Sequence, residues 1–264
     1  PPAVVPWDRG TWDGYAGLAQ RLNYAPPNIP FARAFNKIAF RTDLTPNAEF
    51  LLLDGMVGAS HDPDTVHVIH EYARRGRIYL AHHNTLDILR DGLSGTLPSC
   101  AELIHAAAVG PALMSQTRLN DYGDADGTRT ATLLPGGFLA VIERVTARQP
   151  GEFTLTNRWH TLGKPLQRDH TLTVQQAPKE ADDDPRKEET TYFHIQAPGD
   201  RVWTRGVKDA GLQKIYRNYP YASGTLQQLN QSKRRRLGAG ESEFLYTLMH
   251  QSPDGCGWLL HRRD

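Results

Sequence analysis

The chain has 264 residues, with 30 basic and 29 acidic side chains and a net charge near +1. That balance excludes a general electrostatic pull toward nucleic acid or an anionic membrane surface, so attraction for a charged ligand has to be local. No apolar run approaches the roughly 20 residues that span a bilayer, so membrane insertion is not expected.

Residues 1–37 are rich in Pro, Trp and Tyr, and only 15–22 and 31–37 carry a weak helical period. The pattern predicts an N-terminal wrapping segment. The chain opens on Pro1 with no Met and no basic-then-apolar leader, so the natural start is expected to lie upstream.

From Ile38 onward, short apolar runs alternate with turn residues. The runs are KIAFR, EFLLLDGMV, DTVHVIHEYA, RIYLAHHNTLDIL, AELIHAAAV, ALMSQTRLN, RTATLL, GFLAVIERVTA, EFTLTNRWHTL, HTLTVQQ, TYFHIQA and EFLYTLMH. Turn signals fall at Arg75-Gly76, Pro135-Gly136-Gly137, Pro150-Gly151 and Pro198-Gly199. Regular short strands with this punctuation predict a mainly β protein, a large antiparallel β-sandwich over 38–264.

Three stretches break the rhythm. PKEADDDPRKEET (178–190) is dense in charge with two prolines and reads as a solvated loop. Within 220–243, the Lys233–Arg236 run could hold a phosphate or sulfate, but a solvated face is the commoner meaning of such a run. CGWLLH near the C-terminus reads as a strand in search of a partner, and the chain is expected to continue past Asp264. Cys100 and Cys256 stand outside any Cys-x-x-Cys spacing, so a disulfide and two free thiols both remain open.

The chemistry-bearing residues concentrate in GASHDPDTVHVIHEYARRGRIYLAHHNT. A hairpin across Arg75-Gly76, with Tyr72 opposite Arg77 or Ile78, would carry Asp64 and His67 to the same end of a sheet as His82 and His83. Imidazoles gathered there could hold zinc or exchange protons near neutral pH. The spacing matches no compact zinc motif, and in a chain with eleven histidines some meet by chance. Adjacent strand residues face opposite ways, so His82 and His83 would share one metal only across a bulge.

Other features read more plainly. Trp159 and His160 look like the inward and outward residues of one strand. Asp121, Asp124 and Asp126 in NDYGDADGT offer oxygen ligands for calcium but lack the EF-hand spacing, and a polar turn fits better. No G-x-S-x-G, phosphate-loop or G-x-G-x-x-G motif is present.

The order of these motifs resembles the β-sandwich portion of the heparinase II/III-like polysaccharide lyases. FNKIAFRTDLTPNAEFLLLDGMVGASHDPDTVHVIHEYARRGRIYLAHHNTLDILRDG, then DYGDADGTRTATLLPGGFLAVIERVTARQPGEFTLTNRWHTLG, then GAGESEFLYTLMH carry the likeness over residues 36–250. The resemblance implies a two-part, secreted or periplasmic enzyme in which an α/α toroid precedes the sandwich. It also implies an acidic polysaccharide as partner and β-elimination beside a uronate carboxylate. His61 falls where the family's sandwich histidine lies and is the implied catalytic residue; Asp64 and Asn84 are the implied substrate contacts. His83, with His82 beside it, falls on the family's metal-ligand element, so zinc or calcium is a possible cofactor. The chain departs from the pattern where the Ser60–Asp64 turn has one histidine instead of two, and where His82 replaces an aspartate directly before His83. Fewer than 40 residues precede the first sandwich strand, so the toroid and its catalytic Tyr would lie outside this chain. The competing expectation is a non-catalytic carbohydrate-binding or scaffolding sandwich.

Overall fold

A computed structural model describes residues 2–21, 24–56, 66–168, 171–178, 190–198, 201–207, 215–222 and 225–252. The N-terminal segment opens with strand β1 (Ala3–Pro6) and helix α1 (Arg9–Arg21). Asp8 caps the helix by accepting from the Thr11 amide at 2.9 Å, which satisfies an otherwise orphaned N–H. Trp12, Tyr15 and Ala19 form its buried stripe at spacings of three and four. The helix thus begins six residues before the predicted 15–22 period. The second predicted period shrinks to one 3-10 turn, Phe31–Arg33, because Phe35 already starts strand β2 (Phe35–Arg41). β1 pairs with β2, so the segment contributes an edge strand as well as a cover.

The remaining strands are β3 (Phe50–Asp54), β4 (Val68–Arg74), β5 (Arg77–Arg90), β6 (Leu93–Ser94), β7 (Glu102–Val109), β8 (Ala112–Leu119), β9 (Ala125–Leu134), β10 (Phe138–Ala147), β11 (Gly151–Leu162), β12 (Lys164–Arg168), β13 (Thr171–Gln176), β14 (Thr191–Gln196), β15 (Arg201–Val207), β16 (Leu226–Leu237) and β17 (Ser242–Ser252). They build two antiparallel sheets. The first runs β1-β2-β3-β4-β5-β11-β16-β15, with β6 beside β5, and the second runs β12-β13-β14-β17-β10-β9-β8-β7.

Period-two patterning sets the core between them. On β11, Phe153, Leu155 and Trp159 point inward and are fully buried; on β10, Leu139, Val141 and Val145 answer from the other sheet. Trp159 is the inward residue expected. His160 is also buried, at 8% exposure, because its ring lies against Gln228 of β16.

Each of the twelve runs from KIAFR to EFLYTLMH contains a strand, whereas β16 lies in a stretch read as a break. Its sequence, LQQLNQSKRRRL, looks solvent-facing, yet it pairs with β11 on one side and β15 on the other. Its fully buried polar side chain is satisfied: Gln231 donates to the Pro198 and Tyr246 carbonyls and accepts from Thr247. The basic run at its end is tied to carboxylates, Lys233 and Arg235 to Glu243 and Arg234 to Glu152. That is the solvated-face reading. The aspartates of NDYGDADGT are likewise held by arginines, Asp121 and Asp126 by Arg148 and Asp124 by Arg90, as suits a polar turn. Cys100 is buried, which pushes its thiol up to about 12; Cys256, CGWLLH and almost all of PKEADDDPRKEET lie outside the described residues.

A buried histidine pair makes the sandwich sensitive to acid. His194 on β14 sits opposite His250 on β17, rings stacked 4.8 Å apart, and burial together with His194 pulls His250 down to about 4 from its ordinary 6.5. A histidine depressed in the folded state contributes stability that is complete above pH 6.5 and is lost as pH falls toward 4. The melting temperature is expected to drop across that window, and to drop less in His250→Gln; identical profiles for the two proteins would refute this.

Candidate functional site: a double-bulged hairpin under an outer-face cleft

The β4–β5 hairpin turns through Arg75 (φ 53°) and Gly76 (φ 72°), the left-handed pair that a two-residue turn needs. Two irregularities then shift its register. Arg74 faces Arg77 and Ala73 faces Ile78, but Tyr72 faces Leu80, so Tyr79 is an extra residue on β5. The expected pairing of Tyr72 with Arg77 or Ile78 is not what forms: the two-residue turn already gives those partners to Arg74 and Ala73, and the bulge then sets Tyr72 opposite Leu80. In consequence Tyr79 and Leu80 both join the core between the sheets, while Ile78 and Ala81 join Leu162, Tyr216, Tyr219 and Leu226 on the outer face.

The second bulge is the pair of histidines. Glu71 faces Ala81 and Ile69 faces Asn84, leaving His82 and His83 opposite the single residue His70. Both histidines adopt left-handed backbone conformations, φ 52° and 57°, a costly arrangement for side chains with a Cβ. It overrides strand alternation: the two rings lie 3.6 Å apart, with Nε2 atoms 3.2 Å from each other. Two imidazole nitrogens are thus brought together. Among the described residues, however, no group of three His, Cys, Asp or Glu side chains is disposed to hold a metal ion, so zinc or calcium at His82 and His83 lacks a further donor there. His83 is 6% exposed; the Nδ1 atom of His82 is buried without a hydrogen-bond partner in the structure.

The other expected site residues go different ways. His61 and Asp64 lie outside the described residues. His67 does not join the histidines: it is buried between the sheets, its Nε2 2.5 Å from Thr117 Oγ1. Asn84, the other implied substrate contact, is 0% exposed. Its amide donates to the Ile69 carbonyl at 2.8 Å and accepts from the His160 amide at 2.7 Å, joining β4, β5 and β11 where the bulge interrupts the ladder.

Above the bulge lies a cleft of about 480 Å3, within the range of small-ligand sites. β4 and β5 supply His70, Glu71, Ile78 and His82, and the segment 215–222 supplies Ile215, Tyr216, Asn218 and Tyr219. That second wall is firmly seated. The Tyr219 hydroxyl accepts from the Ile78 amide at 2.9 Å and donates to Gln176 Oε1 at 2.8 Å, while Gln176 donates to the carbonyls of Ile78 and Leu162. Arg77 lies 4.0 Å over the ring of Tyr221.

The electrostatics are asymmetric. On the β4 side, Asp54 is fully buried, paired with Lys37 Nζ at 2.5 Å, and places its other carboxylate oxygen 3.6 Å from His70 Nδ1. Burial raises the Glu71 carboxyl, and burial with the Glu71 charge pushes the Tyr216 phenol up to about 12, so that phenol is protonated at neutral pH. Neither His70, Asp54 nor Tyr216 is marked by sequence spacing; only the density of aromatics in IYRNYPYAS hints at the second wall.

No family model matches the chain, and no curated protein matches it in sequence. Solved structures match it in fold. A mutant of the heparan sulfate lyase HepC from Pedobacter heparinus superposes with a TM-score of 0.57 at 13% identity, over 93% of this chain and 42% of that one. In fold, the chain resembles the β-sandwich part of heparinase III. A heparinase III gene product gives 0.56 at 12% identity over 93% and 42%, and a further heparinase III structure gives 0.55 at 11% over 92% and 42%. The chain therefore spans about two fifths of the length of these lyases.

Proposed function

We propose that the chain is the sandwich part of a polysaccharide lyase that cleaves uronate-containing acidic glycans by β-elimination. The observation that carries this reading is the match of nearly the whole chain to the sandwich of a heparan sulfate lyase. The reaction needs a base for the proton beside the uronate carboxylate, a group that neutralises that carboxylate, and an acid for the departing glycosidic oxygen. In this reading His61 and Asp64, which precede β4 in the chain, contribute to the glycan site, and a helical toroid of the same exported parent chain forms the opposite wall with its catalytic Tyr.

The test is to incubate the full-length parent with heparan sulfate, chondroitin sulfate, hyaluronan and alginate and follow the ultraviolet absorbance of the new double bond. Absorbance should grow with at least one glycan. Glycan binding with no double bond from any of them would overturn the lyase reading and leave a carbohydrate-binding module in its place.

A further inference from the structure

We infer that the outer-face cleft is a subsite for an amino sugar, whose protonated amine pairs with the carboxylate of Glu71 while its ring lies against Tyr216. The sugar as bearer of that amine rests on the lyase reading above, because in many uronate-containing glycans the acid alternates with an amino sugar. The cation rests on the cleft's own charge. A bulge brings Glu71 there: Leu52 of β3 faces Glu71 and Leu53 faces Ile69, so His70 is an extra residue on β4. Ile69 and Tyr72 therefore keep their places in the core, while His70 and Glu71, although adjacent, both line the outer cleft. Glu71 is half-buried, with no hydrogen bond or ion pair among the described residues, and burial alone raises its carboxyl. A carboxylate taken out of water without a counter-ion is costly, and a ligand that brings the cation offsets that cost.

The rest of the wall fits such a ligand. Among the described residues neither Lys nor Arg lines the cleft. Lys37 is committed to Asp54 behind His70, Arg77 lies over Tyr221, and Arg217 of the facing segment is not a wall residue. His82 shares its Nε2 hydrogen bond with His83. A uronate carboxylate placed here would meet Glu71 as a like charge, whereas an ammonium meets it as an opposite one. The Glu71 charge reaches the Tyr216 phenol and holds its proton on more tightly, so that ring stands beside the carboxylate. An ammonium bound at Glu71 thus also lies near an aromatic ring, which favours it further. Ile78 and Ile215 offer apolar contact to the C–H groups of a pyranose, and the exposed amide of Asn218 offers a partner for a hydroxyl. No set of three ligating side chains among the described residues would hold a metal ion in the amine's place.

Calorimetry on the full-length parent tests the subsite, with glucosamine, N-acetylglucosamine, glucuronic acid and butylamine as separate ligands, in wild type and Glu71→Gln. Glucosamine should bind wild type about 10-fold more tightly than any of the others, and Glu71→Gln should lose that factor for glucosamine alone. The variant should melt no lower than wild type, since it removes a half-buried charge that has no partner; the wild-type comparison needs no variant at all. N-acetylglucosamine, glucuronic acid or butylamine binding as tightly as glucosamine overturns the inference, as does no binding of glucosamine or a preference that survives Glu71→Gln. Elimination by the same preparation keeps the two readings apart. A parent inactive on every glycan that still binds glucosamine through Glu71 sinks the lyase reading and supports the subsite. An active parent with no preference for glucosamine sinks the subsite and spares the lyase reading.

Discussion

Glu143→Ala is expected to destabilise the sandwich by about 3–5 kcal/mol, because it strands a buried guanidinium. Arg129 on β9 and Glu143 on β10 are cross-strand neighbours, both without side-chain exposure, joined at 2.6 Å. Burial raises the Glu143 carboxyl, and the Arg129 charge opposes that rise. Arg129 also donates to the carbonyl of His67 and so ties the second sheet to the strand that leads into the histidine bulge. Removing the carboxylate leaves the cation in a low dielectric with one hydrogen bond. The double variant Arg129→Met/Glu143→Leu should recover much of the loss, since it removes both desolvated charges and forfeits chiefly the bond to His67. Urea unfolding of the three proteins decides the matter; a cost below about 1 kcal/mol for Glu143→Ala would mean that water reaches the pair.

Asn84→Ala should cost about 2–5 kcal/mol, a large effect for a polar residue in a strand. The alanine would leave the Ile69 carbonyl and the His160 amide buried and unpaired, at about 1–3 kcal/mol each. Ile69 faces Asn84 across β4–β5, whereas the ladder between β5 and β11 extends only as far as Thr85 opposite Arg158. The Asn84 side chain supplies the link that the backbone loses at the bulge. Faster amide exchange at His160 should accompany the lost stability. An unchanged midpoint with unchanged exchange would show that the clip is dispensable.

These two residues illustrate what the sequence can and cannot carry. Alternation of apolar residues locates β9, β10 and β11, because one buried face imposes a period of two and any slip would turn that face outward. β16 escapes the same reading because Gln231 and Leu229 do the inward work among glutamines and arginines, and its partner β11 is far away in sequence. Asn84 is legible as a distinctive residue, but its task depends on a register that two bulges reset. The meeting of His82 with His83 is invisible to spacing, since it follows from two left-handed backbone angles. His70 and Tyr216 share a cleft across 146 residues of chain, a distance no local pattern spans.

The histidine bulge has one more consequence, for how this strand can change over evolutionary time. β5 is keyed to β4 up to Ala81 and again at Asn84, and from Thr85 it is keyed to β11. The pairings with β4 on the two sides of His82-His83 are therefore out of register by one residue. An insertion at that joint lengthens the connection without disturbing either keyed half, so the bulge is a place where a loop can be gained or lost while the sandwich stays in frame. A few glycines inserted between His82 and His83 should accordingly be tolerated far better than the same insertion between Leu86 and Asp87, where both residues pair directly with β11.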